Sequence, residues 1–248
     1  MKIVIVAGGL ATRMRPHADS IPKCMVDING KPLIEHQLEY FREHGYTDFI
    51  FCIGHLAEKV KDLFGDGSSW GLKIEYVQET GMLLGTAGSV KMAEPLLESS
   101  EDFIVYYGDN LTSMDFDRFI SFHQENKGIA SLAIRPLPEG YKSSSLITLD
   151  ENGRITNYLE KPSLEQIERY ANEKCYINSG IYALKREVLD HIPKGEKYDF
   201  SMQLFPLLMK KDFDMYGYSS SEFFREIGRA EKYASFQQEC IGKKDILK

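Results

Sequence analysis

The chain opens on Lys2–Arg15, KIVIVAGGLATRMR, in which five apolar residues, Ile3–Ala7, run straight into Gly8-Gly9 and are followed by Arg13 and Arg15. A short apolar run ending in glycines reads as a buried parallel strand whose carboxyl end opens into a turn. Such a strand needs cover on both faces, which points to an α/β architecture. Lacking a Cβ, Gly8 and Gly9 let backbone N–H groups approach a ligand, and the two arginines add forked, permanently charged donors. A concave turn of this kind suits phosphate oxygens, hence a nucleoside polyphosphate. The competing reading is a tight turn with two surface arginines. Neither G-x-x-x-x-G-K followed by Ser or Thr, nor G-x-G-x-x-G, occurs in this segment, so the two commonest phosphate-binding patterns are absent.

Strands and helices alternate through the first half. The pattern predicts a helix over about Leu33–His44, with Leu33, Ile34, Leu38 and Phe41 on one face and Gly45 at its C-terminal cap. A strand over Asp48–Gly54, a helix over Ala57–Phe64 and a strand over Lys73–Val77 follow. The glycine-containing loop GMLLGTAG leads to a helix through about Lys91–Leu97, and the strand Phe103–Tyr107 ends in Gly108-Asp109-Asn110. Asp115 caps a helix over Phe116–Asn126. The second half is richer in strands, at Ala130–Arg135, Leu146–Leu149, Ile155–Glu160 and Ile177–Ala183. A helix over Phe200–Met209 has Asp199 as its cap and Pro206 as a kink. Strands at Met215–Tyr218 and Phe223–Ile227 precede a last helix, Arg229–Ile241.

This order implies one α/β domain over residues 1–248, Rossmann-like, with a mixed, mostly parallel sheet flanked by helices. About 1–128 forms a nucleotide-binding half, and about 129–248 shapes the site for a second substrate. Ligands of such sheets sit outside the carboxyl ends of the strands, so Gly8-Gly9 and Asp109 should face one crevice.

Bulk properties narrow the function. A net charge of −7 argues against a broad nucleic-acid footprint. An anionic substrate then needs a local basic patch. The four cysteines (Cys24, Cys52, Cys175 and Cys240) include no C-x-x-C pair, which fits reduced thiols, with Cys52 a core residue. No apolar run approaches ~18 residues, and the first strand leaves no room for a signal peptide. The expectation is a soluble, cytoplasmic protein with no membrane or nucleic-acid partner.

Several residues stand out chemically. Lys23, after Pro22, offers a compact cation near the opening turn; the alternative is a solvated lysine. Asp109, at a strand end beside Gly108, is a natural Mg²⁺ ligand, or else a turn aspartate bonded to its own backbone. Glu160-Lys161-Pro162 ends another strand with a carboxylate and a cation. In Asn178-Ser179-Gly180 a glycine interrupts an apolar strand, marking either the approach of a ligand or a bend. Asn178 can hydrogen-bond hydroxyls through both ends of its amide.

Taken together, AGGLATRMRP (Ala7–Pro16), PKCMVDINGKPLIEH (Pro22–His36), LGTAG (Leu84–Gly88), YGDN (Tyr107–Asn110), EKP (Glu160–Pro162), NSGIY (Asn178–Tyr182) and EIGRAEKY (Glu226–Tyr233) resemble the sugar-1-phosphate nucleotidyltransferases, in family order and over nearly the whole chain. The resemblance implies a GT-A-type fold, here without the C-terminal β-helix that some relatives add. It implies that Ala7, Gly8, Gly9, Arg13 and Asp109 bind nucleotide, with Arg13 on the departing pyrophosphate and Gln78, Gly85 and Gly88 near the base. Lys23 would neutralise phosphate charge. Gly108, Glu160, Lys161, Asn178 and Gly180 would hold the sugar phosphate, with Lys161 on its phosphate. Arg13, Lys23 and Lys161 are thus the catalytic candidates. Asp109 and Glu226 would hold Mg²⁺, the implied cofactor. An NTP and a sugar 1-phosphate are the implied substrates, and a homo-oligomer is left open.

Two features depart from the family. Ala11 stands where glycine is usual, and Glu226-Ile227-Gly228-Arg229-Ala230 replaces a motif that normally begins with Asp and continues Gly-Thr-Pro. Glu226 reaches one methylene further than that Asp. LGTAG looks most like the mannose-1-phosphate guanylyltransferase and related hexose branches, favouring GTP over dTTP, UTP or CTP. The rival readings are a catalytically weak regulatory or sugar-nucleotide-sensing relative, motivated by Glu226, and a glycosyltransferase on a similar fold. The latter leaves the GG, TR and PK series unexplained.

Overall fold

At the centre of the sheet is β1 (Lys2–Val6), whose Ile3, Val4 and Ile5 are fully buried. Val4 points into one core, and Ile3 and Ile5 into another on the opposite face, as expected of a strand covered on both sides. The structure, a computed structural model, describes residues 1–138, 145–243 and 246–247.

A small hairpin, β2 (Asp27–Ile28) and β3 (Lys31–Pro32), leads into α1 (Leu33–Glu43). Then come β4 (Asp48–Ile53), α2 (Ala57–Phe64), β5 (Lys73–Gln78), α3 (Gly85–Met92), β6 (Asp102–Tyr107), β7 (Asn110–Thr112) and α4 (Phe116–Asn126). The second half supplies β8 (Ala130–Pro136), β9 (Ser145–Leu149), β10 (Ile155–Glu160), α5 (Leu164–Arg169) and β11 (Tyr176–Lys185). It closes with α6 (Phe205–Lys210), β12 (Met215–Ser219), β13 (Phe224–Glu226) and α7 (Ala230–Cys240).

The main sheet runs β10-β9-β11-β6-β1-β4-β5, with β8 against β11 and β12 against β8. Strands β5, β4, β1 and β6 are mutually parallel, whereas β11 is antiparallel to β6 and β8. The expected α/β fold with a mixed, helix-flanked sheet is therefore present. A third core carries Met14, Val26, Ile28, Leu33, Leu111 and Ile227 together with Tyr233 and Phe236 of α7. Through it the last helix packs onto the opening turn. Among the described residues no helix is long and apolar enough to cross a membrane.

Several local expectations are corrected. LGTAG is the first turn of α3 and not a loop before it; the stretch Glu94–Leu97 is a separate 3-10 turn. Lys23–Met25 is a 3-10 turn that follows Pro22, and the strand after it, β2, is only two residues long. Pro206 sits in the first turn of α6, where a missing N–H costs nothing, after a wide π-type turn over Phe200–Leu204. No kink results. Asp199 does not cap that segment; its Oδ1 accepts from Thr86 N (2.9 Å) in α3 instead. Asp115, by contrast, caps α4 as expected, accepting from Arg118 N at 3.0 Å. The unforeseen β7, too short to show a period, pairs only with β13, the strand expected over Phe223–Ile227 and observed over Phe224–Glu226.

The turn after β6 hangs on one buried bond, from the Tyr106 hydroxyl to Asn110 O at 2.6 Å. Tyr106→Phe leaves that carbonyl short of a partner, and its expected cost is about 1–3 kcal/mol. Urea unfolding of the variant checks this.

Candidate active site

β1 and β6 end side by side, with Val6 opposite Tyr107. Gly108 N donates to Val6 O (3.0 Å), so Ala7-Gly8 and Gly108-Asp109 leave the sheet at the same level. A Cβ on Gly108 would lie 3.3 Å from Cys24 Cβ and 3.4 Å from Ala7 Cβ. This close packing lays the Pro22–Met25 turn against the strand end and places Lys23 Nζ in an ion pair with Asp109. Burial pushes the Cys24 thiol up to about 12, so it is packing and not a nucleophile.

The β7–β13 ladder delivers the third group. Glu226 lies opposite Asn110, and Ile227 N donates to Asp109 O at 2.8 Å. Glu226 Oε1 occupies the space above the Gly228 Cα, where a Cβ would also be 2.9 Å from Lys23 Nζ and 3.0 Å from Asp109 Oδ2. Lys23, Asp109 and Glu226, far apart in sequence, thus meet at one glycine. Lys232, in the first turn of α7, pairs with Glu226 Oε2. Two carboxylates and two ammonium groups leave the cluster neutral.

The donor set suits Mg²⁺, which takes one or two carboxylates and completes its octahedron with water and phosphate oxygens. Among the described residues no group of three or more His, Cys, Asp or Glu side chains forms a closed cage. Asp109 and Glu226 are therefore the side chains that fit such an ion.

In the opening turn, Ala11 takes φ 52°, the left-handed region where glycine is usual. Holding a Cβ there costs roughly 1–2 kcal/mol. Thr12–Met14 then forms a 3-10 turn, with Met14 fully buried as an anchor and Arg13 exposed. Arg15 pairs with Asp19 at 3.2 Å on the surface. Lys161 is also exposed and also left-handed, at φ 50°. Strained residues of this kind persist where surrounding structure holds them.

Across β6, the second half supplies a hydroxyl network. Asn178 Nδ2 donates to Tyr182 OH (2.8 Å) and Tyr158 OH (3.1 Å), and Asn178 Oδ1 accepts from Gly180 N (2.8 Å). The hydroxyls its amide meets are thus those of the protein's own tyrosines. Gly180, at φ 71°, lies within a bulge of β11 and faces the Tyr107 ring, so the bend explains this glycine. Glu160 ends β10 beside Tyr158. Burial raises its carboxyl above the usual range, against the opposing pull of Lys161 and the Tyr158 hydroxyl.

On the other side of β1, Gly85 and Gly88 have a packing reason of their own. Tyr198 O accepts from Ala87 N and Gly88 N, each at 2.9 Å, and side chains on the two glycines would meet Tyr198 O and Glu196 O. Gln78 ends β5, its Oε1 accepting from Lys61 Nζ at 2.6 Å. Sequence reasoning missed Lys232 and Tyr106. Only Lys232 carried a signal, since it lies within the divergent EIGRAEKY.

Because the folded Glu160 resists ionisation, the protein loses stability as pH climbs from the ordinary glutamate range through its raised value. Glu160→Gln removes that loss. Thermal unfolding is expected to show a higher Tm for Glu160→Gln than for the wild type at pH 7 and no difference near pH 4.

Comparison with known proteins accords with this geometry. The family profile described as nucleotidyl transferase matches residues 2–241. The chain is 35% identical over 243 residues to a UTP–glucose-1-phosphate uridylyltransferase of Synechocystis sp., covering 94% of this chain and 61% of that one. It is 31% identical over 234 residues to the mannose-1-phosphate guanylyltransferase of Mycobacterium tuberculosis, covering 93% and 62%. It thus spans about three fifths of the length of these curated relatives. The crystal structure of HddC from Yersinia pseudotuberculosis superposes with a TM-score of 0.77 at 25% identity, covering 96% of this chain and 98% of HddC. With a family profile matched over nearly its whole length and relatives more than 30% identical, the chain belongs to the nucleotidyl transferase family, alongside the sugar-1-phosphate nucleotidyltransferases.

Proposed function

We propose that this chain transfers a nucleotidyl group from an NTP to a sugar 1-phosphate, forming an NDP-sugar and releasing pyrophosphate. The observation that carries the reading is the meeting of Lys23, Asp109 and Glu226 at Gly228, beside the Gly8-Gly9 turn. The nucleophile is a phosphate oxygen of the sugar 1-phosphate, whose second pKa near ~6 leaves it ionised at neutral pH. No general base is needed. The bond from that oxygen to the α-phosphorus forms as the bond to the pyrophosphate oxygen breaks. The protein's task is to bring two repelling anions into line and to neutralise them.

In this scheme Gly8 and Gly9 present backbone donors to the NTP phosphates, and exposed Arg13 meets the leaving pyrophosphate. Lys23 reaches the α-phosphate from its place against Asp109. Lys161 holds the sugar phosphate, with Glu160 binding sugar hydroxyls and Asn178 bracing the wall behind them. Mg²⁺ held by Asp109 and Glu226 would supply Lewis-acid charge neutralisation on the phosphate oxygens. GTP with mannose or a related hexose or heptose 1-phosphate is the favoured pair, supported by LGTAG and by the guanylyltransferase relatives. The Synechocystis relative supports UTP with glucose 1-phosphate as the alternative. Four free thiols accord with a cytoplasmic setting.

A second reading, a sugar-nucleotide-binding relative with little turnover, draws on one observation: Lys232 already neutralises Glu226. Pyrophosphate release across a matrix of NTPs and sugar 1-phosphates separates the two. A single productive pair supports the enzyme, whereas nucleotide binding without release supports the sensor.

Asp109→Ala and Lys161→Ala are each expected to lower turnover about a hundredfold or more, the size of losing a main electrostatic stabiliser. Near-normal kinetics in either variant would refute the role given to that residue. Gly228→Ala puts a methyl group where Glu226 Oε1 lies and should weaken Mn²⁺ binding, read by electron paramagnetic resonance of the bound ion, while leaving the far-ultraviolet circular dichroism unchanged.

A further inference from the structure

The ion pair between Lys232 and Glu226 sits where a helix does not call for it. Lys232 is in the first turn of α7, the positive end of the helix dipole, where an acidic side chain is favoured and an ammonium group is not. Its neighbour Glu231 follows that rule. What holds Lys232 there is Glu226, whose Oε2 accepts from its Nζ.

Glu226 itself is fixed. Its strand pairs with β7, where it lies opposite Asn110, and Ile227 N donates to Asp109 O at 2.8 Å. Its Oε1 turns inward over Gly228, the point that Asp109 and Lys23 also approach, while Oε2 faces Lys232. Asp109 is engaged in the same way, through Oδ2, by Lys23. The two ammonium groups differ in how they are held. Lys23 is packed down by buried Cys24 and its side chain is 20% exposed, whereas that of Lys232 is 43% exposed. Lys232 can therefore swing away on its flexible four-carbon stem without disturbing the core.

Each of the two carboxylates that fit a metal thus already carries an ammonium group. A divalent cation entering alone raises a neutral cluster to two positive charges. A divalent cation entering with a polyphosphate brings negative charge along, and the displaced ammonium group then has a new partner. The fold puts that partner close to α7. Tyr233, next to Lys232, shares the third core with Met14, and its ring meets that of His17 at 5.0 Å between centroids. The first turn of α7 thereby lies beside the opening turn, on which the nucleotide phosphates rest in the scheme above.

We propose that Lys232 is an exchangeable counter-ion that makes metal binding conditional on nucleotide; the inference rests on the nucleotidyltransferase reading above. In the free protein Lys232 neutralises Glu226. When metal and polyphosphate enter together, Lys232 releases Glu226 to the metal and moves to a phosphate oxygen. The exchange is one of ion pairs alone, with no covalent bond and no proton transferred. Its effect is that a lone divalent ion binds weakly, whereas the ion and the polyphosphate strengthen each other.

The test uses the full chain, Lys232→Gln and Lys232→Arg. Free Mn²⁺ binding is read by electron paramagnetic resonance, and binding of magnesium tripolyphosphate by calorimetry. Glutamine removes the charge and can still donate to Glu226, whereas arginine keeps the charge. Lys232→Gln is expected to bind free Mn²⁺ about tenfold or more tighter than the wild type, because a competing cation is gone. The same variant should bind magnesium tripolyphosphate about tenfold weaker, having lost a charged donor to phosphate. Lys232→Arg should stay near the wild type in both. Free Mn²⁺ affinity that Lys232→Gln leaves unchanged or lowers overturns the inference and makes Lys232 a brace for Glu226. Tighter Mn²⁺ with unchanged tripolyphosphate affinity overturns the move to phosphate. Failure of all three proteins to bind either probe overturns the metal centre, and the nucleotidyltransferase reading with it.

Discussion

The bond from Gly108 N to Val6 O governs much of this site, because it makes β1 and β6 release their chains at the same height. Two loops that leave parallel neighbours in step must face the same crevice. One loop brings backbone donors and Arg13, the other brings Asp109. Gly108 allows the closeness, since Cys24 and Ala7 crowd the position a side chain would occupy. The Lys23 turn is then packed into place by Cys24, and its charge follows.

Charge balance governs the rest of the centre. Asp109 and Glu226 approach the same point, an arrangement that like charges resist unless cations attend them. Lys23 and Lys232 attend them here. The longer Glu226 side chain reaches back over Gly228 to do this, and only a glycine leaves it room. The divergence of EIGRA from the usual family motif is therefore matched locally, by a lysine on the helix that follows.

The two flanks of the crevice differ in kind. On the β11 side, neutral hydroxyls and an amide satisfy one another, and Glu160 is the charged exception. On the β5 side, glycines let backbone pack on backbone, and Asp199 and Tyr198 occupy the N–H groups of α3. Those N–H groups at the start of α3 are therefore not free to meet a phosphate. Mutual satisfaction makes the hydroxyl wall rigid.

Local sequence determined the elements with a clear period or terminator. The apolar run of β1, the span of α2, and α4 with its Asp115 cap were legible because their causes lie within a few residues. The glycine turn was legible for the same reason, and motif order identified the family. Tertiary structure alone decided who meets whom. Lys23 and Asp109 are 86 residues apart, and Thr86 and Asp199 are 113 apart. No periodicity encodes those meetings, so Asp199 was read as the cap of its own helix when it serves another. Asn178 was read as facing ligand when its amide is held by tyrosines. The reach of Glu226 over Gly228 to Asp109 is of the same kind, because it exists only once β7 and β13 are paired.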